Sequence, residues 1–377
     1  MTHPAVILFV LQATAALVAA RRLSAWRHRA AVGLESTERR LADTAVTIVV
    51  PTLNEAGRIG PLLERLVHEP PGVVEILIVD AQSHDGTRAL VAAAAQRDPR
   101  IRLIDEPPLA AGWVGKAWAL EHARGVARGD WIVGLDADVV PAAPMSPAML
   151  AAVQAGALDA GSFSPRFGGQ SVLERWLHPS LLLSLLCRSA PTSGTRVMAN
   201  GQCWIARRDI LAAHGGFVGV RASFAEDVSL MRMLARRGAR VAFLDGSELY
   251  EVRSYASAGE MWREWGRSID LRDSTPVAAQ AGDVIMLALV QGLPVPVVIA
   301  AAAGASVAAP LVALNGLILV ARTLMNVAVR SSYAKHGLSF WLSPLADPLA
   351  VIRLVLSSAR RPKAWRGRNY ETIADRK

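Results

Sequence analysis

Cysteine is nearly absent from this chain. Only Cys187 and Cys203 occur among 377 residues, so no disulfide framework is implied, and the count suits a main domain kept in a reducing compartment. Internal repeats and low-complexity linkers are also lacking, which argues against a repeat array. No basic stretch precedes the first apolar run, as it would in a secretory signal peptide. Acidic residues are outnumbered, 32 against 41 basic, for a net charge of +9 and an isoelectric point near 10.3. That balance suits nucleic acid, anionic lipid or phosphate-rich ligands. Much of the basic charge sits beside apolar segments, the pattern of membrane anchoring, so nucleic acid is not the expected partner.

Apolar sequence, in contrast, is abundant. The chain is 52% hydrophobic with a mean hydropathy of +0.29, high for a wholly soluble protein. Positions 4–20 are almost all apolar and span or nearly span a bilayer in length, so 1–22 is expected to be a transmembrane anchor, with a cleaved signal peptide as the alternative. Arg21, Arg22, Arg27 and Arg29 follow it. The positive-inside rule then leaves the start outside and the rest in the cytoplasm. After Asp283, "VIMLALVQGLPVPVVIAAAAGA" and "SVAAPLVALNGLILVA" read as two membrane helices over 284–330, turning near Gly304, with Pro294 and Pro296 kinking the first. Arg322 and Arg330 mark a return to the cytoplasm. The stretch 339–358 holds Asp347, Pro348 and Arg353. It is read as interfacial or re-entrant, leading to a basic cytoplasmic tail that ends at 377. Residues 171–188 are apolar but too short to span comfortably; a buried helix and a helix in the membrane interface both fit. The expected place is a bacterial-type inner membrane, crossed several times, with a cytoplasmic soluble domain over 44–275.

Within that domain, "VTIVVPTLNE", "VEILIVDAQSHDGT" and "DWIVGLDAD" are apolar runs ending in polar residues, with helical segments between. This is the pattern of a mostly parallel α/β sheet, in which ligands bind beyond the strand ends. Asn54 and Glu55, Asp80 and Asp85, and Asp136 and Asp138 are therefore expected to converge. The D-x-D pair reads either as a polar turn or as a cation site. Along a strand both side chains would share one face, and Mg²⁺ or Mn²⁺ takes one or two carboxylates from protein and the remainder from phosphate and water.

Five stretches together carry a resemblance: "VTIVVPTLNEAGRIG", "ILIVDAQSHDGT", "GWVGKAWALEHA", "GDWIVGLDADVV" and "ASFAEDVSLMRMLARRG". In this order over about 46–240 the chain resembles the family-2 glycosyltransferases of GT-A fold. The resemblance implies transfer of a sugar from a nucleotide-diphosphate sugar, with a UDP-sugar as the usual donor, and a divalent metal, Mg²⁺ or Mn²⁺. Pro51, Asn54 and Glu55 match the first nucleotide-binding turn. Asp80 matches the acid that contacts the base, with Asp85 in the same loop. Here Ala81 and Gln82 replace the Asp-Gly often found after the first acid. Lys116 matches a donor-phosphate contact. Asp138 matches the direct metal ligand, with Asp136 on the ribose or the metal. Glu226 precedes Asp227, which matches the general base; attack opposite the diphosphate implies inversion.

After the base, the Q-x-x-R-W motif of many processive relatives is missing, and "GEMWREWGRSI" stands there. Arg263 and Arg267 are candidates for the diphosphate, with Trp262 or Trp265 stacking near the acceptor; an amphipathic helix resting on the membrane fits equally. The "GW-x-GK" loop, the later membrane helices and "WRGRNY" resemble a membrane-bound subgroup that includes carotenoid (diaponeurosporenoate-type) and hopanoid-associated glycosyltransferases. That implies a hydroxyl or carboxyl acceptor on a lipid or isoprenoid held in the bilayer. Competing readings are a polyprenyl-phosphate sugar synthase and a non-catalytic membrane protein on the same fold. A nucleotidyltransferase is disfavoured because "PTLNEAGR" stands where its Gly-rich, basic first loop would be.

Overall fold

The computed structural model describes residues 3–34, 44–142, 144–169, 171–192, 194–252, 255, 257–359, 364–365 and 368–369. By contact the chain divides into two units. One holds Met1–His28, Gly168–Ala190 and Ser254–Arg361; the other holds Arg29–Phe167, Pro191–Arg253 and Pro362–Lys377. The expected soluble block 44–275 is therefore interrupted: 168–190 and 254–275 group with the helical unit. Most of the basic tail lies outside the described residues.

The α/β unit is built on a sheet of seven strands: β1 (Val46–Thr52), β2 (Val73–Asp80), β3 (Ile101–Asp105), β4 (Trp131–Leu135), β6 (Ala160–Ser164), β8 (Cys203–Arg207) and β9 (Val241–Asp245). A small second sheet joins β5 (Val139–Pro141), β7 (Arg166–Phe167) and β10 (Tyr250–Val252). The main order is β3-β2-β1-β4-β8-β6-β9. Strands β1 to β4 run parallel, and β8 is antiparallel to both β4 and β6. This is the mostly parallel α/β sheet the sequence implied. Its central strands are buried on both faces, which is why they read as continuous β-branched runs. Ile48, Val50, Ile76 and Ile78 are fully buried, each stabilising the fold by about 1.5–3 kcal/mol relative to exposure. Glu75 interrupts that pattern. Its wholly buried carboxylate accepts from Thr47 Oγ1 (2.9 Å), Arg128 N (2.6 Å) and Arg128 Nε (2.9 Å), so the charge is paired as burial requires.

Residues just after the first helix also join this unit. Val32 N donates to Asp245 O at 2.9 Å, and the Arg29 guanidinium pairs with Asp245 at 2.7 Å. Arg29, one of the basic residues that follow the first apolar run, is thus committed to the end of β9.

Among the described residues, the helical unit contains three helices long and apolar enough to cross a membrane, His3–His28, Val277–Ala302 and Ala309–Ser332. Leu17, Ile285, Ile299, Leu317 and Leu324 remain outside its packing, as lipid-facing positions do. Near Gly292 the second helix takes a π-helical turn, Ala288–Gly292, just ahead of Pro294. The chain reverses between the second and third helices at Gly304, whose φ of 88° lies in the left-handed region that favours glycine. The stretch 339–358 breaks into Leu338–Trp341, Ser343–Ala346 and Asp347–Ala359, and no candidate span covers it. Inside the unit, Arg322 pairs with Asp347 at 2.9 Å and donates to Asn326 Oδ1 at 2.6 Å. The Arg22 guanidinium pairs with Asp283 at 2.7 Å. The apolar 171–188 stretch forms the helix Val172–Leu186, and Leu181 and Leu185 are buried.

Candidate active site

The site begins at the end of β4. Leu135 pairs with Cys203 across the antiparallel β4–β8 ladder, so Gly201 and Gln202, just before β8, meet the residues just after β4. Asp136 N donates to Gln202 O at 3.0 Å. Asp136 to Asp138 then form a turn closed by Val139 N donating to Asp136 O at 3.2 Å. The two aspartates therefore lie beyond the strand, and the alternation rule that would align them does not apply. They still open onto one cleft.

That cleft, about 520 Å³ and open to solvent, is lined by Pro51, Thr52, Leu53, Glu55, Ala81, Glu106, Lys116, Asp136 and Asp138 among others. The ends of β1, β2 and β4, the segment after β3 and the start of the helix Gly115–Val126 supply these residues. The convergence expected at the strand ends is observed for this subset.

Asp80 and Asp85 hold the wall of the cleft. Asp80 is fully buried, accepts from Ser83 N at 3.0 Å and pairs with Arg88 at 2.9 Å. Arg88 also reaches Asp105 at 2.6 Å. Asp85 accepts from Ala56 N (2.9 Å), Thr87 N (3.1 Å) and Thr87 Oγ1 (2.5 Å). Partial burial pushes the Asp85 carboxyl up, but these donors outweigh it and the net shift is downward. Asn54 adopts φ 55° and accepts from His84 N at 2.9 Å; Asn is among the few side chains that tolerate the left-handed region. The loops after β1 and β2 are thus laced together from both sides.

On the other side of Asp136 stands a charged cluster. Lys116 Nζ lies 2.8 Å from Asp136 Oδ1 and 3.0 Å from Glu226 Oε1. Glu226 and Asp227 open the helix Glu226–Arg236, where acids suit the positive end of the helix dipole. That helix is anchored by the fully buried Arg232, whose Nε donates to Val197 O at 3.0 Å. Gly201 faces all of them. A Cβ there would stand 2.8 Å from Lys116 Nζ and 3.3 Å from Asp227 Oδ2 and Glu226 Oε1. Burial works against the Lys116 charge, but Asp136, Glu226 and Asp227 outweigh it and raise its pKa. The Asp227 pKa rises as well: burial and the adjacent Glu226 raise it to about 7, against the pull of Lys116. Two neighbouring carboxyls are thereby set apart, one held by an ammonium and the other poised to take a proton near neutrality. Behind them Leu120, Trp204, Phe217, Leu230 and Met231 wall a smaller pocket of about 230 Å³ that Glu226 and Asp227 border.

A divalent cation fits this donor set only in company. Among the described residues no group of three or more His, Cys, Asp or Glu forms a closed cage. Asp136 and Asp138 offer carboxylates at an open cleft, the arrangement that Mg²⁺ or Mn²⁺ completes with phosphate and water oxygens.

Arg263 and Arg267 belong to the other unit, on the helix Ala258–Ser268. Arg267 is paired with Glu264. Trp265 is buried edge-on against His178, with ring centroids 4.7 Å apart, and Trp262 carries the Arg353 guanidinium over its ring at 5.4 Å. Both tryptophans are thus engaged inside the helical unit, where the sequence reading offered them to an acceptor. The sequence reading missed Glu106 and Gly201. Glu106 follows directly on β3, so the strand-end rule that found the other acids would have found it. Nothing in "ANGQCW" marks Gly201.

The open cleft of acids and one lysine lies at the carboxyl ends of a mostly parallel sheet, and the fold is GT-A. Residues 47–215 match the family described as Glycosyl transferase family 2. Across 94% of this chain and 96% of the other, the structure is similar to the mannosyltransferase PcManGT from Pyrobaculum calidifontis in complex with GDP-Man and Mn²⁺, with a TM-score of 0.60 and 20% identity. By sequence it is similar to the succinoglycan biosynthesis protein ExoA of Rhizobium meliloti, 40% identical over 68 residues, 18% of this chain and 21% of that one. It is also similar to the dolichyl-phosphate beta-glucosyltransferase ALG5C of Trichomonas vaginalis, 32% identical over 105 residues, 26% of this chain and 30% of that one. The chain thus matches less than a third of the length of these relatives.

Proposed function

We propose that the protein is an inverting glycosyltransferase that moves a sugar from a nucleotide-diphosphate sugar to a hydroxyl or carboxyl of a lipid or isoprenoid held in a membrane. The observation that carries this reading is the meeting of Lys116, Asp136, Glu226 and Asp227 around Gly201, beside a cleft that also presents Asp138. Three helices long and apolar enough to span a bilayer support a membrane-borne acceptor. Asp80 orders the nucleotide loop through Ser83 and Arg88, while Thr52, Leu53, Ala81 and Glu106 present the surface against which a nucleoside would rest. Asp136 and Asp138 would hold a divalent cation, which when bound would neutralise charge on the departing diphosphate.

Asp227 acts as the base. Glu226 Oε1 is committed to Lys116, which leaves Asp227, raised to about 7, to accept the acceptor's proton as its oxygen attacks the anomeric carbon. The new bond forms from the face opposite the breaking bond to the diphosphate, so configuration inverts. Lys116 supplies a point charge for the released phosphate.

The test is incubation of membranes containing the protein with several nucleotide sugars and extracted lipids, read by mass spectrometry. One lipid should gain a sugar mass, and Asp227→Asn should abolish the gain. A broad donor and lipid panel without any new glycolipid would sink the reading. The partial likeness to a dolichyl-phosphate glucosyltransferase favours a second reading in which the acceptor is a polyprenyl phosphate. Such an acceptor is already ionised, so full activity in Asp227→Asn would select it.

A further inference from the structure

We infer that Lys116 is an internal counter-cation: it holds the acidic cluster together before ligands arrive and must release Asp136 when a divalent cation and a nucleoside diphosphate bind. This rests on the donor-site reading above and adds an order and a coupling to it.

The geometry is that of an ammonium with its donors committed. Nζ makes one contact to Asp136 Oδ1 (2.8 Å), one to Glu226 Oε1 (3.0 Å) and a longer one to Gly201 O (3.5 Å). An ammonium has three donors and no acceptor, so this set leaves none unused. Three carboxylates, those of Asp136, Glu226 and Asp227, raise its pKa together. Without the lysine they would repel one another in a partly buried place, where charges are weakly screened. The absence of a side chain at Gly201 is what lets Nζ sit there.

A divalent cation that uses Asp136 must therefore compete with Nζ for the same carboxylate, and two like charges would crowd one site. A nucleoside diphosphate removes the conflict. Lys116 lines the same cleft as Asp136 and Asp138, and its flexible stem allows the ammonium to exchange a carboxylate for a phosphate oxygen. The cation and the nucleotide then each improve the other's affinity, and by linkage the improvement is equal in both directions. The cation alone binds poorly, so the acidic cluster stays intact until a complete donor arrives.

Removing the lysine should make binding of the bare cation tighter, the reverse of what loss of an ordinary site residue does. Calorimetric titration of MnCl₂ into the full-length protein in detergent, with and without UDP or GDP, tests this in wild type, Lys116→Met and Lys116→Arg. Wild type should bind Mn²⁺ weakly alone and much more tightly with nucleotide. Lys116→Met should bind Mn²⁺ alone about tenfold more tightly, as expected for deleting one like charge at close range, and lose about as much of the coupling. Lys116→Arg keeps the charge and should retain weak binding of Mn²⁺ alone. Unchanged or weaker Mn²⁺ binding in Lys116→Met overturns the inference and leaves the donor-site reading standing. If Lys116→Met does not fold, wild type decides: equal Mn²⁺ affinity with and without nucleotide overturns it. Failure of wild type to bind Mn²⁺ in any combination removes the donor-site reading itself.

Discussion

Gly134 stands directly across the β4–β8 ladder from Trp204, and the indole occupies the space that a side chain would need. A Cβ built on Gly134 falls 2.2 Å from the ring. This contact matters because Asp136 and Gly201 both flank one end of the same ladder. Gly134→Ala should force the indole or the strand aside and destabilise the fold by about 1–3 kcal/mol, the usual cost of overpacking. Thermal unfolding in detergent checks the stability. Nucleotide binding should fall with it, and Gly134→Ala/Trp204→Phe should recover part of both. An unchanged melting temperature would mean that the ladder is not so tightly packed.

Asp227 should show itself in the pH profile. A base must be unprotonated, and burial beside Glu226 raises this carboxyl to about 7. The acid limb of kcat/KM should thus fall as pH drops through about 7, well above an ordinary carboxylate. Stability has the opposite sense. The folded pKa lies above the unfolded one, so the stabilising contribution is full below the unfolded value and is lost as pH rises through about 7. Asp227→Asn should therefore abolish transfer and, at pH 8 without ligands, raise the melting temperature by about 2–4 °C. A variant that is inactive and clearly less stable would argue for a structural role instead.

How far the sequence could be read depended on what each signal records. The runs at 46–52, 73–80 and 131–135 are β-branched and buried on both faces, so burial itself wrote the pattern that made them legible. Lys116, Asp136 and Asp227 were findable as residues, but not as one cluster: they lie on three separate segments that meet only in the fold, and no period records such a meeting. Asp80 was read as the base-contacting acid from the resemblance, and nothing in the sequence marked the arginine that it also pairs with. Arg88, eight residues on, takes its Oδ2. The assignment of 168–190 and 254–275 to the helical unit was illegible for a similar reason, since their composition suits either unit.

Asp138 separates the cation from the rest of the cleft. It lines the cleft as Asp136 does, while Lys116 is committed to Asp136 and Glu226. Asp138→Ala should leave the melting temperature nearly unchanged while weakening Mn²⁺-dependent nucleotide binding at least tenfold, the loss of one charged ligand to a hard cation. Transfer should fall below detection. Nucleotide affinity that no longer responds to Mn²⁺, together with intact affinity in its absence, would identify Asp138 as the ligand. An unchanged Mn²⁺ dependence would remove it.

In the helical unit the corresponding test concerns Arg322 and Asp347. Both are almost fully buried and meet at 2.9 Å. Arg322 also donates to Asn326 Oδ1, Ser180 Oγ and Ser343 Oγ, and Asp347 accepts from Gln291 Nε2 at 3.2 Å. The pair therefore ties a candidate spanning helix, Ala309–Ser332, to the helix Asp347–Ala359, to the π-helical turn and to the helix Val172–Leu186. Breaking it from one side leaves a buried charge without its counter-ion, which costs about 3–5 kcal/mol. Arg322→Met should accordingly lower stability sharply in detergent and in lipid. Replacing both partners removes the uncompensated charge, so Arg322→Met/Asp347→Leu should be more stable than Arg322→Met alone, even though it has lost one more polar group. If the double variant is instead the less stable of the two, the surrounding hydrogen bonds, and not the ion pair, hold these helices together.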